Sequence, residues 1–232
     1  MINALHPTEN ILISCFDLHE LGLVNNQQGR GEYPRARCPV CLAEMGIRAG
    51  QVHANEHFYH IGKSNCPTKR TAQEPYLNLW ATTTDRETID RNKEFVHENM
   101  NSIWSRMREI VDYIELKEFI FILNEARRLN VYAYADLDIE LIPYVYVTLA
   151  NFIPSKSYRK LRTLGSRFFY EQNGNDNGEL WIDRGEFPRL VKVFYRNQTI
   201  DGVEYVDTTT DYLIRAEFQL TPRQLAWCLR EF

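Results

Sequence analysis

Cys38, Cys41, His57, His60 and Cys66 fall within one short stretch, RCPVCLAEMGIRAGQVHANEHFYHIGKSNC, residues 37–66. Cys38 and Cys41 make a CxxC, fifteen residues separate Cys41 from His57, and five lie between His60 and Cys66. Borderline-soft Zn²⁺ prefers thiolate sulfur and imidazole nitrogen, and a closed structural site takes four such ligands in a tetrahedron. Five candidates therefore compete for four places. If EHFYH is extended, alternation sends His57 and Tyr59 to one face and Phe58 and His60 to the other, so one histidine shares an ion with the CxxC more easily than the other. His60 has a short path to Cys66 and completes the set Cys38, Cys41, His60 and Cys66, with His57 as the alternate. On a helix the two histidines would share a face, and both could bind. Four protein ligands leave no open position for a substrate, so a zinc ion held here would have a structural task.

The elements that must position these ligands are legible in outline. Residues 8–24 place Ile11, Leu12, Ile13, Phe16, Leu18 and Leu21 behind Thr8 at a spacing closer to helical than to alternating, which predicts a capped amphipathic segment. NNQQGRGEYPR then has the Gly, Pro and Asn content of a loop leading into the cysteines, and PTKRTAQEP is a polar connector after them. From about Arg91 to Leu129 the pattern predicts helix, with Phe95, Met100, Ile103, Trp104, Met107, Ile110, Val111 and Ile114 at steps of three and four. LKEFIFILNEARRL forms a second, more deeply buried helical stretch. Between residues 131 and 153 the alternation of Asp136, Asp138 and Glu140 with Leu137, Ile139 and Leu141 suggests a strand that Pro143 interrupts. SRFFYE, ELWID, RLVKVFYR and DYLIRAEFQL predict a C-terminal antiparallel sheet, with NGNDNG, Pro188 and Asp201-Gly202 as turn material. Thr221 before Pro222 marks the start of a short closing helix.

The chain has 232 residues, 44% hydrophobic and 25% charged, with a formal net charge of −4. That total argues against indiscriminate coating of nucleic acid, but its distribution is uneven. Residues 30–70 carry seven basic and three acidic side chains around the cysteines. Five cysteines is an odd number, and the clustering of three of them beside histidines is metal arithmetic rather than a disulfide framework, which suits a reducing cytoplasm. The first residues lack a basic leader and a long apolar run, so the expectation is a cytoplasmic protein without a membrane span. There is no GxGxxG or Walker A loop, no GxSxG elbow and no HExxH helix.

The order CPVC, HFYH and Cys66 resembles the N-terminal zinc-binding module of the CoiA-like competence protein family, over about residues 33–70. In that family the module precedes a nuclease-like domain of the PD-(D/E)xK class, so the resemblance implies a role in DNA handling. Such a nuclease core sets an Asp on one strand and a Glu-x-Lys or Glu-x-Gln pair on the next, where the carboxylates hold Mg²⁺. Here the matching pair is Glu217 and Gln219, with Asp136 or Asp138 as the distant carboxylate. The long separation of these acids from Glu217, and the single helix after it, depart from the pattern. The alternative is that Glu217 and Gln219 occupy the solvent face of a strand beside Arg215.

Basic residues supply candidates for phosphate contact. Arg35, Arg37, Lys63, Lys69 and Arg70 flank the cysteines, and Lys156, Arg159, Lys160 and Arg162 stand in IPSKSYRKLRTLGSR beside Ser155, Ser157 and Tyr158, without one acidic neighbour. A solvated face is the competing interpretation. Together these features predict an α+β protein with an N-terminal segment and zinc module over 1–75, then helices and a β-rich part over 76–232. The expected function is binding of nucleic acid, DNA above all, or of a protein partner, with structural zinc. A nuclease using Mg²⁺ and Glu217, or an interaction scaffold, are the alternatives.

Overall fold

The computed structural model describes residues 1–9, 11–27, 34–48, 56–62, 66, 82–135, 137–154, 162–170, 190–196 and 199–232. Among them are six α-helices and two antiparallel sheets, the α+β architecture expected. The N-terminal sheet contains β1 (Asn3–Leu5), β2 (Leu12–Ser14), β3 (Ala36–Arg37), β4 (Glu44–Arg48) and β5 (His57–His60), in the spatial order β2-β1-β3-β4-β5. It curls back on itself, because the Phe58 N–H donates to the Met1 carbonyl at 2.7 Å.

The predicted helix over 8–24 is corrected at its start. Leu12, Ile13 and Ser14 pair with β1, and helix α1 (Cys15–Gln27) begins only after them. Ser14, not Thr8, caps it: the Asp17 N–H donates to Ser14 Oγ at 3.3 Å, and Asp17 Oδ2 accepts from the Ser14 N–H at 2.7 Å. Three consecutive apolar residues fit either period, and pairing with Ala4 and Leu5 decided between them.

The long helical region is three helices: α2 (Arg86–Glu98), α3 (Met100–Ile110) and α4 (Leu116–Arg128). Asn99 ends α2, and its carboxamide donates to the Phe95 carbonyl at 2.9 Å. Tyr113, at a φ of 53°, turns the chain after α3. Glu115 and Glu118 then form a capping box that starts α4. No strand forms over residues 131–141 among those described. Instead there are single 3₁₀ turns at Val131–Ala133 and Ile139–Leu141, then α5 (Ile142–Thr148) with Pro143 in its first turn, where its missing N–H costs nothing.

The second sheet is β6 (Gly165–Tyr170), β7 (Leu190–Arg196) and β8 (Thr199–Val206), with β7 in the middle. Asp201-Gly202, expected as a turn, lies inside β8, where Gly202 faces Phe194 beside an irregularity in the pairing. ELWID and NGNDNG fall outside the described residues. DYLIRAEFQL is not a strand. After a 3₁₀ turn at Asp211–Leu213 it crosses α3, whose side chains take its backbone donors: Phe218 N–H bonds Ser105 Oγ at 3.1 Å, and Leu220 N–H bonds Asn101 Oδ1 at 2.9 Å. Helix α6 (Pro222–Glu231) follows, starting behind Thr221 as expected, and Gln224 completes a capping box with Thr221.

Among the described residues two buried cores result. Helices α2–α6 enclose one, into which β6 and β7 send Phe168 and Leu190. Around the cysteines lies the other, completed from the opposite face of the same sheet by Phe169, Val191, Val193, Tyr195 and Val203. Arg162, expected to contact phosphate, is buried instead. Its guanidinium pairs with the Glu118 carboxylate and donates to the Ile153 carbonyl at 2.8 Å. Removing it strands Glu118, which also caps α4. Arg162→Ala is expected to lower the free energy of urea unfolding by about 3 kcal/mol, and Arg162→Met with Glu118→Gln to recover part of that loss.

Candidate metal centre

The hairpin from β3 to β4 builds half of the cluster. Cys38 leaves β3, its N–H donates to the Ala43 carbonyl at 2.9 Å, and the Leu42 N–H returns to the Cys38 carbonyl at 2.9 Å. Leu42 takes a φ of 56°, the left-handed conformation that closes so tight a turn. The Val40 N–H points at Cys38 Sγ, 3.4 Å away, so a backbone donor already favours a thiolate there. Cys41 sits in the turn itself and faces the same space.

The other half comes from β5 and the chain beyond it. Met45 pairs with His60 across β4 and β5, which delivers His60 to the end of the hairpin. Because β5 is extended, Phe58 and His60 share a face, Phe58 in the core and His60 over the cysteines. His57 pairs in register with Arg48 and is not in the cluster. Gly62, with a φ of 74°, turns the chain just after β5, a backbone angle that favours glycine.

Cys38, Cys41, His60 and Cys66 thus converge, with all four ligand atoms within 4.8 Å of one another. Two sulfurs bound tetrahedrally to one zinc ion at ~2.3 Å stand ~3.8 Å apart, and a sulfur and a nitrogen ~3.5 Å. The Cys38 and Cys66 sulfurs are 3.8 Å apart, and Cys41 Sγ is 3.3 Å from His60 Nε2. The donor set and its spacing fit a zinc ion, and the four side chains could hold one. Cys38 is fully buried and Cys66 2% exposed, so the site belongs to the core.

Electrostatics favour a cation at the centre. Hydrogen bonding to the Cys41 and Cys66 sulfurs, with burial, drives the Cys38 thiol far up from its ordinary value. Burial works to lower His60, but the Cys41 and Cys66 sulfurs outweigh it and carry the imidazole up to about 9. Crowded sulfurs resist ionisation together unless positive charge sits between them. A divalent ion reverses both tendencies, holding thiolates and a neutral imidazole.

Tyr195, from β7, packs in the same core as Cys38 and Cys66. Burial pushes its phenol up to about 12, while the Arg167 guanidinium works in the other direction. Nothing near the cysteines in sequence announces Tyr195, because the whole helical region lies between them. Arg167 is buried too, its guanidinium 5.0 Å from the centre of the Phe169 ring.

The remaining candidates scatter. Arg35 is exposed with a long 3.5 Å contact to Glu44, whereas Arg37 donates to the His6 and Glu9 carbonyls at 3.1 and 2.9 Å and ties down the turn between β1 and β2. Lys63, Lys69, Arg70, Lys156, Arg159, Lys160 and Asp136 lie outside the described residues. Asp138 is exposed and caps the 3₁₀ turn at Ile139 through the Glu140 N–H. Glu217 and Gln219 are exposed on irregular backbone, and among the described residues no metal-ligating group includes Asp138 or Glu217. Nor, among those residues, is any helix long and apolar enough to cross a membrane. No protein-family model matches the chain, and no curated protein or solved structure matches it.

Elemental analysis of purified protein is expected to find one zinc ion per chain, kept in His57→Ala and lost in His60→Ala and Cys38→Ser. Because protons compete for thiolates and imidazole, zinc is retained at neutral pH and released as pH falls, with loss of the N-terminal sheet followed by circular dichroism.

Proposed function

We propose that this chain is a zinc-stabilised nucleic-acid-binding protein, with DNA as the class that the CoiA-like resemblance implies and bacterial or phage DNA transactions as the setting. The observation that carries the reading is the convergence of Cys38, Cys41, His60 and Cys66, two of them buried and two half-buried. Four protein ligands fill a tetrahedral sphere, so the ion would fold the module and leave binding to the surfaces around it.

The surface beside the cluster supports that task. Arg48 is exposed, and its guanidinium lies 5.1 Å from the centre of the exposed Tyr59 ring, on the face of β5 opposite His60. An arginine over an aromatic ring can meet a phosphate while the ring offers a face to a base. Arg35 is exposed on the neighbouring strand region.

A second reading, a protein-binding adaptor, is favoured by α1. Phe16, Leu23 and Val24 are exposed along it at helical spacing, and Ile11 is exposed just before it. Such an apolar stripe is an ordinary docking surface for another protein.

Labelled DNA run with the zinc-loaded protein separates these readings on one gel. A retarded band at low salt that fades as salt rises, with the DNA intact when Mg²⁺ is added, is the expected result. Absence of any retarded band at low salt would remove nucleic-acid binding and leave the adaptor. Mg²⁺-dependent cleavage abolished by Glu217→Ala would replace both with a nuclease.

A further inference from the structure

Helix α6 carries a feature that the metal centre does not use. Arg223, Trp227 and Arg230 stand at i, i+4 and i+7, which places them on one side of the helix over about 10 Å of its axis. The opposite side is spent on packing: Leu225, Cys228 and Leu229 join the helical core. Trp227 is 45% exposed, although an indole of that size usually finds more cover.

The stripe lines a cavity of about 660 Å³ together with Leu116, Gln224 and Ala226. Among the described residues that line it, none is a carboxylate. Gln224 has its oxygen committed to the helix cap, accepting from the Thr221 N–H at 2.9 Å, so only its amide N–H groups remain for a ligand. The side-chain groups that the cavity offers are thus two guanidinium groups, an amide donor and an indole N–H, all donors. The Glu231 carboxylate stands 3.5 Å from Arg230 Nε and leaves the rest of that guanidinium fork available. In a chain of net charge −4 this is a local positive groove that also offers an exposed indole.

A ligand complementary to it carries acceptors and negative charge on both sides of a planar ring. We propose that the α6 groove binds single-stranded nucleic acid, with one base stacked on Trp227 and the phosphates on either side of it held by Arg223 and Arg230. A duplex hides the faces of its bases in its own stack, whereas an unpaired base presents its face to an indole. This inference rests on the nucleic-acid reading and adds to it the strand state and the surface used, on the far side of the fold's sequence from the cysteines.

The test is fluorescence anisotropy of the full chain, zinc-loaded, with a labelled oligothymidylate of about 16 nucleotides, the upper end of ordinary single-strand site sizes, and a duplex of the same length. The single strand is expected to bind more tightly than the duplex. Trp227→Ala should weaken it about tenfold, with Trp227→Phe keeping most of the affinity. Arg223→Ala with Arg230→Ala should flatten the slope of log affinity against log salt by about 1.4, two phosphates' worth. An unchanged thermal midpoint shows that each variant is folded, as the exposure of these side chains implies.

Wild-type binding that Trp227→Ala leaves intact would overturn the groove assignment while the nucleic-acid reading stands. Tighter binding to the duplex would overturn the strand assignment. If the wild type binds neither form, both the groove assignment and the reading beneath it fall. Polyglutamate binding as tightly as the oligonucleotide, and equally sensitive to Trp227→Ala, would give the groove to an acidic peptide instead.

Discussion

A β-strand sends successive side chains to opposite faces, and the sheet of β6, β7 and β8 buries apolar side chains on both. Phe168 and Leu190 point into the helices, while Phe169 and Val191, their immediate neighbours in sequence, point into the core around the cysteines. A shift of one residue in the pairing of Phe169 with Val191 would exchange the two sets and unpack both cores at once. The sheet is therefore the common wall of the molecule. Each fully buried Phe or Val on it contributes about 1.5–3 kcal/mol, and the two faces together hold the cysteine cluster's core against the helices.

Charges follow the same wall. Lys192 lies on the helical face and reaches Asp112 at 3.0 Å, and Arg167 lies on the cysteine face over Phe169. Arg162 continues the pattern at Glu118. In sequence, Arg162 and Arg167 fall in a basic run that reads as available to phosphate. Their burial shows why local charge density is a weak guide: a basic residue next to aromatic or β-branched neighbours is as able to close an internal gap as to face solvent, and only the partner, here Glu118 or Asp112, distinguishes the two.

The cysteine cluster was legible because its chemistry is local. Cys38 and Cys41 lie on one turn, and the choice of His60 over His57 needs nothing beyond the two-residue period of β5. Elements whose form depends on distant partners were misjudged. Leu12–Ser14 became a strand because Ala4 and Leu5 offered it a register, and DYLIRAEFQL left the sheet because Ser105 and Asn101 on α3 took its backbone donors. The helical period from Arg91 to Leu129 was real, but a period survives a break; it was Asn99 and Tyr113 that divided it. Tyr195, the aromatic neighbour of the cluster, could not be found from sequence, since no spacing rule links a strand residue to a cysteine turn so far upstream.

The common wall also sets an order of events as the chain is made. A ribosome delivers the CxxC, then His60 and Cys66, long before it delivers Phe169, Val191 and Val203. During that interval the ligands can gather, yet the hydrophobic side of their module has nothing to cover it. The module is born unfinished, and its shelter is the last β-hairpin of the chain. Any pause in translation between the two would leave an apolar surface open to chaperones or to neighbouring chains.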